Sequence, residues 1–86
     1  MALCNEQCYR YEDYHNAYTI YSISPTPHYS FHIDKIGGDY LVMNGNECCK
    51  YTDTSRKALD FIRKQLSYSL DADVQAVVAS MPKTLD

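Results

Sequence analysis

The chain lacks any apolar run longer than a few residues. That excludes a membrane-spanning helix, which needs about 20 consecutive apolar residues. Its start, MALCNEQCYRYEDY, has no basic opening and no long apolar stretch. It does not read as a secretory signal, and the expectation is a cytoplasmic protein. Bases are in the minority, 8 Lys and Arg against 11 Asp and Glu, for a net charge of −3. Binding to a nucleic-acid backbone rests on clustered cations, so nucleic acid is a disfavoured partner. No repeat and no low-complexity tract is present.

Catalytic signatures are missing too. Nucleophilic catalysis needs a Cys or Ser beside a base that a third group orients. The three histidines, His15, His28 and His32, announce no such arrangement. His28 and His32 fall four apart on one expected strand, roughly 13 Å along it, too far to share a ligand. The acids are dispersed. IGGDY lacks the glycine spacing and the following helix of a phosphate-cradling loop. No metal-hydrolase helix, nucleotide fingerprint or nucleophile elbow occurs. The expectation is a protein that is not an enzyme and uses no cofactor.

What is present is enough to fold. Hydrophobic residues make up 45% of 86 residues, which suits one small domain spanning 1–86 with one modest core. Tyrosine dominates the aromatics, with nine Tyr, two Phe and no Trp, and five of the nine fall between positions 9 and 21. Tyr joins an apolar body to a polar tip, so it serves a core edge or a contact surface.

Residues 17–52 read as a β-meander. AYTIYSIS, 17–24, is rich in β-branched and aromatic residues, and Pro25 and Pro27 then signal a turn. In HYSFHIDKI, 28–36, Tyr29, Phe31 and Ile33 alternate with Ser30, His32 and Asp34, the period of a half-buried strand. Gly37-Gly38 suits a two-residue hairpin into DYLVM, 39–43. That loop pairs Ile36 with Asp39 and Ile33 with Val42, which keeps the apolar residues on one face. The other face would carry Ser30, His32, Asp34, Leu41 and Met43, a mixed, half-apolar open surface. Asn44-Gly45 is a second hairpin signal, leading into a strand at 46–52.

The period changes after Asp53. Ala58, Leu59, Phe61, Ile62 and Leu66 recur at helical spacing over 54–68, with Asp53 or Thr54 as cap. A second helix starts near Asp71, buries Val74, Val77, Val78 and Met81, and ends at Pro82. Residues 1–16 suit a short helix or an added strand. The expected fold class is α+β, a four-stranded antiparallel β-meander with two C-terminal helices on one face.

Four cysteines fall as two pairs, Cys4 and Cys8 in CNEQC, and Cys48 and Cys49 side by side. Adjacent strand residues point to opposite faces, so Cys48 and Cys49 do not both face one metal. After a two-residue loop, Cys49 shares Tyr40's face; after a three-residue loop, Cys48 does. Cys4, Cys8, one of the later pair and His15 allow a small zinc-binding module, although a second spaced pair is missing. A disulfide framework suits a secreted chain, and no signal supports one. The reading adopted from the sequence is that all four are small apolar residues in a reducing compartment.

What remains is binding. In size, sheet-plus-helix pattern, acidic balance and lack of catalytic motifs, the chain resembles the small proteins that phages and mobile elements use to block host machinery, anti-CRISPR proteins among them. That resemblance implies a non-enzymatic inhibitor and transfers no site residue. The tyrosines and acids near the start, Tyr9, Tyr11, Glu12, Asp13 and Tyr14, are the expected contact with a basic protein partner. The alternative is nucleic-acid binding through Arg56, Lys57, Arg63 and Lys64 on one helix face, beside sheet aromatics able to stack bases. A homodimer through the edge at 17–24, or through the half-apolar face, is a third expectation.

Overall fold

The computed structural model describes residues 17–45 and 47–85. Four antiparallel strands form one open sheet in the order β1-β2-β3-β4, followed by two helices, an α+β fold. β1 is Tyr18–Thr26, β2 Tyr29–Ile36, β3 Asp39–Asn44 and β4 Glu47–Thr52. α1 is Ser55–Leu66 and α2 is Ala72–Ser80.

The β2–β3 hairpin follows from its sequence alone. Gly37 sits at φ +61°, where a side chain would be strained, and the two-residue loop pairs Ile36 with Asp39 and Ile33 with Val42. Phe31, Ile33, Tyr40 and Val42 then lie on one face, nearly or fully buried. At the second hairpin Asn44 opposes Glu47 and Met43 opposes Cys48, after which the register slips and Val42 faces Lys50. The extra residue is Cys49, a β-bulge in an edge strand. The bulge turns Lys50 toward the helices, where its ammonium lies 5.9 Å from the Phe61 ring centroid. Cys49 stays in the helix-side core beside Tyr40, as the two-residue loop predicts.

Pro25 does not end β1 as expected. The strand continues to Thr26, with an irregularity between Ile23 and Thr26. An edge strand tolerates a proline because its missing N–H can face away from the ladder.

α1 is built by its stripe. Ala58, Leu59, Ile62 and Leu66 are fully buried against Phe31, Ile33 and Val42. Complete burial of a Leu or Ile side chain contributes roughly 1.5–3 kcal/mol. Thr54 caps the start by accepting a hydrogen bond from the Lys57 N–H at 3.1 Å, and Arg63 and Lys64 complement the last turn. α2 starts at its Asp71 cap. It buries Val74 fully, with Met81 just beyond its end, while Val77 and Val78 stay half-exposed. The C-terminal residues strap back over α1: Arg63 donates to the Pro82 carbonyl at 2.9 Å, and the Leu85 N–H donates to the buried Ser55 hydroxyl at 3.0 Å.

One expectation about the far face is overturned. Leu41 and Ile36 alternate away from the helices, yet they are 1% and 5% exposed. That face is not open at its centre.

Candidate protein-binding surface

The expected contact residues Tyr9, Tyr11, Glu12, Asp13 and Tyr14 lie outside the described residues, as do Cys4, Cys8 and His15. Of the tyrosine-rich stretch, Tyr18 and Tyr21 are described. Tyr18 is exposed, whereas Tyr21 packs against the core, and burial raises its phenol above the ordinary value while the Arg63 charge opposes the rise.

The cysteine expectation is corrected. Cys48 and Cys49 are both disulfide-bonded, and no cysteine among the described residues is free. They are therefore not the reduced apolar residues of the sequence reading. A sulfur held in a disulfide is not the thiolate that zinc takes as a ligand. Among the described residues, no group of three or more His, Cys, Asp or Glu side chains is arranged to hold a metal ion. His32 stands 3.6 Å from the Asp34 carboxylate, which also accepts from the Thr19 hydroxyl at 2.7 Å.

The basic helix face is half spent on neighbours. Lys57 pairs with Asp53 at 3.0 Å, and Arg63 pairs with Asp60 at 2.6 Å while also holding the Pro82 carbonyl. The Lys57 ammonium holds the Asp53 carboxyl below its usual range. A groove of about 500 Å³ runs between α1 and the end of α2, lined by Arg56, Asp60, Arg63, Val78, Met81 and Lys83. On the far face, the Tyr51 hydroxyl donates a hydrogen bond to Asp39 Oδ2 at 2.9 Å.

The most exposed large apolar side chains lie elsewhere. Leu70 is 93% exposed and Tyr68 69%, both on the short connection from α1 to α2. A single exposed Leu is ordinary, but an aromatic and a Leu two residues apart on a fixed loop are less so. The loop is fixed by its serines. Ser67 Oγ donates to the Lys64 carbonyl at 2.7 Å, and the Ser69 N–H donates to the Leu66 carbonyl at 3.0 Å. Ser69 Oγ accepts from the Asp71 N–H at 3.1 Å, and its carbonyl accepts from Gln75 Nε2 at 3.4 Å. Asp71, the cap of α2, and Asp73 in its first turn are both exposed and follow the pair in sequence. The sequence reading passed over Tyr68 and Leu70. The signal was there in SYSLDAD: two large apolar residues off the helical stripes, each flanked by serine or aspartate.

No protein-family model matches the chain, and no curated protein or solved structure matches it. No helix among the described residues is long and apolar enough to cross a membrane.

Proposed function

We propose that the protein is a small, non-enzymatic protein-binding module whose contact includes Tyr68 and Leu70, flanked by Asp71 and Asp73. The observation that carries this reading is the pair of exposed apolar side chains on a hydrogen-bonded loop. Tyrosine is enriched among the side chains that contribute most to association, and a loop already held in shape loses little freedom on binding. The neighbouring carboxylates suit a partner with a basic rim around an apolar pocket. The amino-terminal contact through Tyr9, Tyr11, Glu12, Asp13 and Tyr14 is a second arm of the same proposal.

The resemblance to mobile-element inhibitors supports this reading as far as a non-enzymatic binder. The cytoplasmic expectation rested on the lack of a secretory signal, and reduced thiols agreed with it. With Cys48 and Cys49 oxidised, the location we carry forward is an oxidising compartment, where disulfides persist. Nucleic acid is the weaker alternative, because Lys57 and Arg63 are already paired.

The test is affinity purification from a native extract under non-reducing conditions, with and without nuclease. The wild type is compared with Tyr68→Ala/Leu70→Asp and with Tyr9→Ala/Tyr11→Ala/Tyr14→Ala. The expected result is a stoichiometric, nuclease-resistant protein that the first variant loses. Equal recovery by the wild type and both variants removes the proposed surface. Retention that disappears on nuclease treatment favours the basic helix face instead.

A further inference from the structure

The groove between α1 and the end of α2 runs against the charge of the chain. The whole chain is acidic, with a net charge of −3. The groove nonetheless gathers Arg56, Arg63 and Lys83 around one carboxylate, Asp60. Arg63 is already spent on Asp60 and on the Pro82 carbonyl. Arg56 and Lys83 are exposed, and neither has a hydrogen-bond or ion-pair partner among the described residues. Folding therefore leaves two positive charges here unmatched. The remaining lining, Val78, Ala79 and Met81, is apolar. A volume of about 500 Å³ falls in the range of ligand pockets. An occupant of matched chemistry brings an apolar side chain and two negative charges close together.

One exposed segment of this chain has that chemistry. Tyr68 and Leu70 supply the apolar side chains, and Asp71 and Asp73 follow within three residues of Leu70. The Asp71 carboxylate accepts from the Asp73 N–H, and among the described residues no cation pairs with either aspartate. The segment does not fill the groove of its own molecule. Ser67 and Ser69 hold it at the end of α1, and Leu66, where α1 ends, lies about 15 Å along the axis from Arg56.

We propose that a second copy of the chain fills the groove. Tyr68 and Leu70 of one copy pack on Val78, Ala79 and Met81 of the other, and Asp71 and Asp73 meet Arg56 and Lys83. This rests on the reading of Tyr68 and Leu70 as a contact, and it names what they contact. Loop and groove belong to the same pair of helices, so one two-fold axis exchanges both contacts and closes a dimer. Two acidic chains repel at a distance. Their association depends on the local match of charge, and salt weakens it by screening that match.

The experiment is sedimentation equilibrium of the full chain over a concentration series, under non-reducing conditions. The expected result is a dimer that loosens as salt is added. Arg56→Glu/Lys83→Glu and Asp71→Asn/Asp73→Lys should each weaken it about tenfold or more, because like charges then meet. Asn at position 71 preserves the cap of α2. An equimolar mixture of the two variants should recover the dimer. One of its contacts is then wild type, and the other carries reversed charge on both sides; recovery also shows that both variants fold. A monomer at every concentration, a dimer indifferent to both variants, species larger than a dimer, or a mixture as weak as its parts would overturn the second copy. The contact itself is judged separately. A monomeric wild type that still captures a different protein, lost in Tyr68→Ala/Leu70→Asp, keeps Tyr68 and Leu70 as a contact and removes only the second copy.

Discussion

The two helices differ in composition, and burial does not follow the difference. α1 presents Ala58, Leu59, Ile62 and Leu66 to the sheet and charged residues to water. α2 is the more apolar helix, yet Val74 alone among its residues is fully buried. Ala72, Ala76 and Ala79 are exposed, and Val77 and Val78 half-exposed. Apolar content therefore does not report burial here. Amphipathic contrast does, because only a helix with two distinct faces has one orientation that satisfies both. α1 carries stability. α2 and the loop before it carry apolar surface that folding leaves unused.

Substitutions can break that contrast or sharpen it. Ile62→Ala, deep under α1, should cost about 2–5 kcal/mol in denaturant unfolding. Val74→Ala should cost about 2 kcal/mol, near the transfer and cavity cost of two methyl groups. If Val74→Ala proved as damaging as Ile62→Ala, α2 would be a structural equal of α1. Removing the caps should cost about 1 kcal/mol each, for Thr54→Ala and Asp71→Ala alike. Tyr68→Ala/Leu70→Ala should shift stability by no more than about 0.5 kcal/mol while weakening partner binding; a larger loss would make that loop part of the core.

The smallest effects are those of pH. The Asp53 carboxyl is held low by Lys57, so its contribution is present above the unfolded value and fades as pH falls through the lowered folded value. Tyr21 runs the other way. Its raised phenol contributes below the unfolded value of 10.0 and loses that contribution as pH rises through the higher folded value. Unfolding midpoints of Asp53→Asn and Tyr21→Phe across acid and alkaline pH would show each slope disappear.

How much was legible in the sequence differs from element to element. The β2–β3 register was readable because two independent signals, a Gly-Gly turn and strict alternation, agree at Ile33 and Val42. α1 was readable from its stripe and cap. The slip at Cys49 was not, since a bulge changes pairing without changing composition. Pro25 was misread because a proline's meaning depends on whether its strand is an edge, which only the assembled sheet decides. Leu41 was placed on the right face but read as open, because alternation gives the face of a residue and not its burial. The oxidation state of Cys48 and Cys49 leaves no trace in local spacing. Tyr68 and Leu70 were visible but unread, because attention to periodic stripes passes over apolar residues that belong to none.

The irregular β1 has one more consequence. Among the described strands it forms an outer margin of the sheet, with register breaks between Thr19 and Tyr21 and again between Ile23 and Thr26, around Pro25. A margin bent twice and missing a donor is a poor template for another chain's strand. This strand, rich in β-forming residues, is thereby poorly suited to seed fibrils, and a concentrated stock of the folded protein should resist cross-β aggregation at this border.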